Sequence, residues 1–248
     1  MILVFAAMEP EVQACFGGGS PGPSRDVAGF PVYESESIAV CQTGLGRRSH
    51  DAATAVLEHF TPDAVLSAGT AGGLNFDLRS GQLLACSHVH HADMRGGLDE
   101  TPAFSDERLV TLALEVARGA GLDARIGSAV TVDEVVWTST DKADLHAWME
   151  HDVVEMESYW IGKVASQSDL PYLALRVVTD QAADELVQTP AISADGTFDA
   201  DAFQAWIKDH AEYVPMFAEQ AERSRRGLGT LTRFLGDFLP RLAGSQAS

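Results

Sequence analysis

The sequence predicts an α/β protein in which helices cover both faces of a sheet. Short continuous apolar runs, such as Met1–Ala7, Ala64–Ala68 and Tyr172–Thr179, are typical of strands buried on both faces. Segments with helical spacing of apolar residues alternate with these runs, which is the pattern of an α/β fold. The chain has 248 residues, and this length favours one domain over residues 1–248.

The first half of the chain starts with the Met1–Ala7 strand. Glu9, Pro10 and Glu11 then indicate a helix start, because proline and acids are favoured in a first helical turn. Glycine and proline in Gly17–Ser24 predict a loop. The next predicted elements are two strands that can form a hairpin, a helix, a buried strand followed by a small-residue loop, and a further strand: Phe30–Tyr33, Ser37–Thr43, Ser49–Phe60, Ala64–Ala68 with the loop Gly69–Gly73, and Gln82–Val89.

The second half continues the alternation of helices and strands. The predicted elements are, in order, Asp106–Arg118 (helix), Ile126–Val132 (strand), Lys142–Met149 (helix), Val153–Met156 (strand), Glu157–Ser168 (helix) and Tyr172–Thr179 (strand). Two terminal helices, Ala200–Arg226 and Leu228–Leu239, are predicted with a break at Gly227 and Gly229. The last helix has one apolar face, which we expect to pack on the body of the protein or on a second subunit.

Composition excludes several classes of function. The chain carries 17 Lys and Arg against 36 Asp and Glu, a net charge of −19, and this negative field disfavours nucleic acid as a partner. The longest apolar runs are far shorter than the roughly 20 residues of a membrane span. The three cysteines are scattered and predict reduced thiols. Because Met1 leads straight into a core strand with no leader, we expect a cytoplasmic protein.

Three acids follow predicted strands, namely Glu11, Glu157 and Asp180. The glycine-rich segments Thr43–Gly46 and Gly69–Gly73 follow two others. Ligands of open α/β sheets bind beyond the carboxyl ends of the strands, so we expect these groups to converge at one edge. Carboxylates in a partly dry cleft suit general acid and base chemistry, because their neighbours can raise the pKa of one of them.

Five motifs occur in order along the chain: Ala7–Val12 (AMEPEV), Thr43–Gly46 (TGLG), Ser67–Leu74 (SAGTAGGL), Val154–Ser158 (VEMES) and Leu175–Asp180 (LRVVTD). Together they resemble the nucleoside phosphorylase/nucleosidase superfamily, and within it the 5'-methylthioadenosine/S-adenosylhomocysteine nucleosidases, over about residues 1–185. The resemblance implies a three-layer αβα domain with a central mixed, twisted sheet. The residues from about 200 to 248 would form a helical C-terminal extension.

The resemblance implies a role for each acid in cleaving a purine nucleoside without a cofactor or metal. Asp180 would be the general acid that protonates purine N7, which requires a carboxyl group that holds its proton near neutral pH. Glu11 would activate the attacking water. Glu157 would accept hydrogen bonds from the ribose hydroxyls, and Met156 would pack under the sugar.

The resemblance also assigns substrate contacts to further positions. Those in the ribose, water and base region are Met8, Leu45, Thr70, Gly72, Arg176, Thr179, Val135 and Val136. The two valines stand where related nucleosidases usually place aromatic residues. Trp137 would either substitute for these aromatics or belong to the core. Met94 resembles a position that reaches the 5'-substituent pocket of a partner subunit, which implies a homodimer.

Water is the expected nucleophile, but two alternatives stay open. Ser67 stands where related phosphorylases have a phosphate-binding arginine, and the acidic segment Tyr33–Ser37 lacks the other one. Arg47, Arg48 and Arg79 leave a phosphorylase as the runner-up. The C-terminal segment resembles nucleosidase-like proteins linked to hopanoid lipid synthesis, so an adenosylated lipid is a further candidate substrate.

Two other classes of function are weaker. His88, His90, His91 and Asp93 are a candidate metal cluster, and strand alternation places His88 and His90 on one face. Because no HExxH or CxxC spacing accompanies them, we expect no metal-dependent hydrolase. A nucleoside-binding protein without activity is the other alternative, and the presence of both Glu11 and Asp180 argues against it.

Overall fold

The computed structural model describes residues 1–93, 97–98, 101–193 and 197–245. The strands are β1 (Ile2–Ala6), β2 (Arg25–Val27), β3 (Phe30–Glu34), β4 (Ile38–Gln42), β5 (Ala64–Gly73), β6 (Leu83–Asp93), β7 (Gly97–Leu98), β8 (Ala103–Phe104), β9 (Ala124–Val132), β10 (Val153–Glu155) and β11 (Tyr172–Asp180). The helices are α1 (Glu9–Cys15), α2 (Arg48–Leu57), α3 (Glu107–Gly119), α4 (Ser139–Met149), α5 (Ser158–Gln167), α6 (Ala200–Asp209) and α7 (Val214–Ser245), with a short 3₁₀ turn at Ala211–Tyr213.

All of these strands belong to one mixed sheet with the order β10-β9-β6-β11-β5-β1-β4-β3-β2, while β7 and β8 pair with β6. The four central strands β11, β5, β1 and β4 run parallel to one another, so their carboxyl ends meet at one edge. β10 pairs in parallel with β9 and antiparallel with the end of β5, and this second pairing closes one side of the sheet. The topology therefore brings the ends of β5, β10 and β11 together.

Helices cover both faces of the sheet. In β1, Leu3 and Phe5 point to the face that packs against α2 and α5. Ile2 and Val4 point to the other face, which packs against α1, α3 and α7. Successive side chains of a strand point to opposite faces of the sheet, and here both faces are buried. The strands therefore show continuous rather than alternating hydrophobic runs. The predicted α/β class and its three layers are confirmed.

The predicted loop Gly69–Gly73 is wrong, because β5 continues through Gly73. Gly72 and Gly73 pair with Val154 and Val153 of β10. A Cβ atom on Gly72 would lie 2.9 Å from Oδ2 of Asp180. The glycines therefore permit close packing against neighbouring groups rather than a turn.

The predicted break at Gly227 and Gly229 is also wrong, since α7 runs without interruption from Val214 to Ser245. A Cβ atom on Gly227 would lie 3.0 Å from Cγ2 of Thr179, so this glycine lets the helix pack closely on the end of β11. The apolar face of α7 confirms the expectation that it packs on the body of the protein, and its fully or almost fully buried members are Leu231, Phe234, Leu235, Phe238 and Leu239. This packing offsets the cost of about 1 kcal/mol that a glycine imposes inside a helix.

The cysteines Cys15, Cys41 and Cys86 are free and buried, as the sequence analysis expects of thiols. Burial raises the pKa of the Cys15 and Cys86 thiols to about 12, which makes them poor nucleophiles at neutral pH. Among the described residues, no helix has both the length and the apolar character needed to cross a bilayer.

Candidate active site

The three acids singled out in the sequence converge around the end of β5. Glu11 lies in the first turn of α1, and a Cβ atom on Gly69 would lie 2.8 Å from its Oε1. Asp180 ends β11 and packs against Gly72 at the distance given above. Glu157 directly precedes α5 and receives a hydrogen bond from the amide of Gly46, with an N···O distance of 2.8 Å. Gly69 and Gly72 of β5 leave room for the carboxyl groups of Glu11 and Asp180.

Four donors hold the Glu11 carboxylate in place. The backbone amides of Ala7 and Met8 donate to Oε2, each at 3.1 Å. Thr70 donates to Oε1 through its amide at 2.8 Å and through Oγ1 at 3.0 Å. Glu11 therefore caps its own helix and also links α1 to β5. Donors on both oxygens hold this carboxyl group in one position, as a general base requires.

Asp180 forms a buried ion pair that sequence reasoning missed. Nζ of Lys142 donates to Oδ2 of Asp180 at 2.6 Å, and the lysine side chain is 0% exposed. The same ammonium donates to the carbonyl oxygens of Gln181 at 3.0 Å and Asp184 at 2.9 Å, so all three of its protons have acceptors. Thr179 donates from Oγ1 to Oδ1 of Asp180 at 2.9 Å. In sequence, a lysine in a helix looks like a solvated residue, so no pattern distinguished Lys142.

A second buried ion pair lies beneath the acids. Nη2 of Arg176 donates to Oε2 of Glu155 at 2.6 Å and to Oγ of Ser67 at 2.9 Å. Glu155 also accepts from the backbone amides of Glu157 at 3.0 Å and Ser158 at 2.7 Å. The resemblance implied that Arg176 lines the ribose and water region. In the structure its guanidinium is buried and donates to Glu155 and Ser67. It fixes Glu155, and Glu155 fixes the start of α5 beside Glu157.

The surroundings of Glu157 raise the pKa of its carboxyl group. Its own burial, followed by the negative charge of Glu155, raises the pKa of the Glu157 carboxyl to about 8. Hydrogen bonding from Gly46 and the charge of Arg176 act in the opposite direction but do not cancel this effect. In the free protein at neutral pH, Glu157 is therefore mainly protonated and can both donate and accept a hydrogen bond.

Most of the residues predicted to touch substrate are half-buried. This group comprises Met8, Leu45, Thr70, Gly72, Val135, Met156 and Thr179. Val136 is buried in a small apolar cluster, and Met156 packs against the same cluster. A Cβ atom on Gly46 would lie 3.8 Å from Cε of Met156, so this side chain covers the loop after β4. Met94 lies outside the described residues.

The sequence model of one protein family, the phosphorylase superfamily, matches residues 2–220 of the chain. The chain belongs to the phosphorylase superfamily. Among relatives, the 5'-methylthioadenosine/S-adenosylhomocysteine nucleosidase of Glaesserella parasuis is 28% identical over 202 residues, which are 73% of this chain and 86% of the relative. The nucleosidase of the same name from Lysinibacillus sphaericus is 26% identical over 201 residues, which are 74% and 87% of the two chains.

Solved structures of the superfamily share the fold of this chain. A mutant of the Helicobacter pylori 5'-methylthioadenosine nucleosidase, with 5'-methylthioadenosine in the active site, matches with a TM-score of 0.75 and 19% identity over 97% of this chain and 98% of that one. Futalosine hydrolase of the same organism matches with a TM-score of 0.74 and 21% identity over 97% of both chains. The implied nucleoside phosphorylase-like fold is thereby confirmed.

Replacing Lys142 by methionine is expected to destabilise this superfamily member. The change leaves the Asp180 carboxylate buried without its cation, which costs about 3–5 kcal/mol for a broken buried pair. Urea denaturation measures the loss, with the exposed Lys208→Met as a matched control. In the double variant Lys142→Met/Asp180→Asn, the neutral amide needs no cation, so part of the loss is recovered. Equal stabilities of Lys142→Met and Lys208→Met would show that the pair does not hold the site together.

The stability of the free protein is expected to depend on the proton of Glu157. Between the ordinary carboxyl pKa of 4.5 and the folded-state value of about 8, the folded chain binds a proton that the unfolded chain has lost. The free energy of unfolding therefore falls as pH rises through this window. Because one pKa unit corresponds to about 1.4 kcal/mol, the decrease is of the order of a few kcal/mol.

The control for this pH dependence is a change of Glu157 to glutamine, which keeps an oxygen to accept from Gly46 but does not titrate. Urea denaturation at a series of pH values is expected to give a flatter profile for Glu157→Gln than for the unmodified chain or the exposed Glu58→Gln. Identical profiles for all three proteins would contradict the assignment of the raised pKa to Glu157.

Proposed function

We propose that this protein hydrolyses the N-glycosidic bond of a purine nucleoside and releases adenine from a 5'-modified adenosine, such as 5'-methylthioadenosine or S-adenosylhomocysteine. The observation that carries the proposal is the convergence of three buried acids, each in a different hydrogen-bonding environment, around the glycine-rich end of β5. The names of the relatives point to the same chemistry. The purine, the sugar and the attacking water each need one such group.

Asp180 acts on the leaving group. Asp180 is paired with Lys142 in the free protein, so it first takes up a proton from solvent on Oδ1, the oxygen that Lys142 does not contact. As the bond between C1' and N9 breaks, its electron pair moves onto the purine, and Asp180 donates this proton to N7 so that the base leaves neutral. The ammonium of Lys142, 2.6 Å from Oδ2, then stabilises the carboxylate that remains. Lys142 is a positioning residue, because its three protons are used by protein acceptors and it fixes the direction in which Asp180 faces.

Glu11 acts on the nucleophile. A water molecule that attacks C1' must lose a proton, and a charged carboxylate held by four donors is a suitable acceptor. Its rigid position fixes the water on one side of the sugar, as an attack opposite to the departing base requires. The half-exposed Thr70 hydroxyl borders the same space.

Glu157 acts on the sugar. In the transition state the ribose ring gains positive charge, and a carboxyl group that accepts hydrogen bonds from its hydroxyls steadies this charge. The raised pKa of Glu157 means that binding of the nucleoside and the loss of this proton are linked. Met156, beside Gly46, supplies an apolar surface under the ring.

Water is favoured over phosphate by the environment of Ser67. Its hydroxyl is buried, accepts a hydrogen bond from Arg176 and contacts the Ser158 hydroxyl at 3.3 Å. The position therefore offers no cation to a phosphate dianion. Arg47 lies over the Trp160 ring and Arg48 over the Phe30 ring, and both arginines are solvent-exposed. A phosphorylase reaction remains the second candidate through these two arginines and Arg79, which is also exposed.

We propose a homodimer in the cytoplasm as the working state. Several large apolar side chains are exposed, among them Phe76 at 66% and Phe104 at 68%. A partner subunit is the simplest way to cover such groups. The role of Met94 at the 5'-substituent stays a prediction from the sequence resemblance. The free, buried cysteines suit a reducing compartment.

The roles of Asp180 and Glu11 are tested by isosteric amides. Asp180→Asn can still accept from Lys142 and bond to Thr179, so we expect a folded protein that loses turnover of 5'-methylthioadenosine by about 10²–10⁴-fold, the usual worth of a general acid. Glu11→Gln is expected to lose activity to a similar extent. It also loses stability, because its amide nitrogen faces N–H donors. Adenine release is measured by chromatography.

The matched controls change exposed acids near the tested groups, namely Glu9→Gln on α1, the helix of Glu11, and Asp144→Asn on α4, the helix of Lys142. Both are expected to keep the activity of the unmodified chain. Near-full activity of a folded Asp180→Asn or Glu11→Gln protein would show that the role given to that residue is wrong.

A further inference from the structure

Three histidine side chains form a cluster outside the acid site: His88 and His90 on β6, and His151 shortly before β10. One ligand nitrogen from each ring lies within 4.8 Å of the others. The ring centroids are 5.0–5.6 Å apart. The hydrolysis proposed above uses none of these rings.

The fold explains why these three rings meet. Alternation along β6 places His88 and His90 on one face of the strand, whereas His91 packs against Tyr159 and Trp160. Parallel pairing of β6 with β9, and of β9 with β10, brings the segment before β10 alongside. Nδ1 of His146 donates to the carbonyl oxygen of His151 at 2.8 Å, which fixes the backbone that presents the third ring.

The rings are in the protonation state that binds metal ions. Burial, and then the neighbouring imidazoles, lower the pKa of His151 to about 4. The pKa values of His88 and His90 are also lowered by burial. Neutral imidazole carries the lone pair that a metal ion accepts. The charged groups beside the rings are the carboxylate of Asp152, which favours a cation, and Arg125, which is paired with that carboxylate at 2.6 Å.

Hydrogen bonds orient two of the rings. Oγ of Ser87 donates to the carbonyl of Gly127 at 3.2 Å and lies 3.0 Å from Nδ1 of His88. Nδ1 of His88 is then the donor, and its Nε2 is left as the ligand atom. Nδ1 of His90 and Nε2 of His151 are 3.0 Å apart and share one proton, and a metal ion can take the place of this proton.

We propose that His88, His90 and His151 bind one divalent transition-metal ion, with water completing the coordination. Three imidazoles suit Zn²⁺, Co²⁺, Ni²⁺ and Cu²⁺, and not the hard ions Mg²⁺ and Ca²⁺. In a tetrahedral site with metal–nitrogen distances of about 2.0–2.1 Å, ligand nitrogens are roughly 3.3 Å apart. The His90–His151 pair is already close to this separation, and side-chain rotation brings in His88. His88 and His90 are half-exposed, so an ion can enter from solvent.

The ion would connect β6 to the segment before β10. The chain then runs through β10, which ends at Glu155, to Glu157. The expected effect of the ion is therefore on stability, since an ion that binds only the folded chain raises the free energy of unfolding. The site does not depend on the proposed hydrolysis, so either proposal can fail without the other.

The test uses the full chain without a histidine tag, stripped with chelator and dialysed against Zn²⁺ alone. Metal analysis is expected to give about one ion per chain, and added Zn²⁺ is expected to raise the melting temperature. His88→Gln and His90→Gln are each expected to weaken binding at least tenfold, and His151→Asn is expected to do the same if it folds. The exposed His59→Gln is the matched control and is expected to bind Zn²⁺ like the unmodified chain.

Co²⁺ provides a second readout, because ordered tetrahedral coordination gives strong visible absorption that adventitious surface binding does not. Equal Zn²⁺ affinity in His88→Gln, His90→Gln and His59→Gln would overturn the proposal. Absence of stoichiometric Zn²⁺ binding by the unmodified chain would overturn it as well.

Discussion

The buried ion pair between Arg176 and Glu155 is the interaction on which the candidate site depends. It joins β11 to β10, and through Ser67 it reaches β5 as well. Glu155 in turn accepts from the backbone at the start of α5 and from Thr131 of β9, so one carboxylate holds together four elements that border the site. Removing one member of such a pair typically costs 3–5 kcal/mol, and here it would also release the backbone that carries Glu157.

The acids of the site differ because their surroundings differ. Four donors hold Glu11, a lysine ammonium holds Asp180, and Glu157 lies next to the negative charge of Glu155 with a single backbone donor. In the proposed reaction, these environments would suit three chemically similar groups to three different roles: a base, an acid and a ligand for the sugar. Two glycines of β5 allow the carboxylates to pack closely against this strand. A side chain at Gly69 or Gly72 would collide with a carboxylate.

Much of this arrangement could be predicted from the sequence. Apolar runs and helical periodicity predicted nearly every element of the core, and the positions of the three acids after predicted strands predicted that they meet. The errors lie where tertiary contacts override local rules. Gly69–Gly73 looked like a loop, yet its glycines serve close packing in a strand, and Gly227 serves close packing in a continuous helix. Lys142 could not be recognised, because nothing in a sequence distinguishes a buried lysine from a solvated one.

In the proposed reaction, three carboxyl groups and water cleave the nucleoside without phosphate. The most direct measurement is the initial rate of adenine release from 5'-methylthioadenosine in phosphate-free buffer, compared with the rate after inorganic phosphate is added. We predict full activity without phosphate, with free sugar as the second product. Release that requires phosphate and yields a sugar 1-phosphate would contradict the proposed hydrolysis.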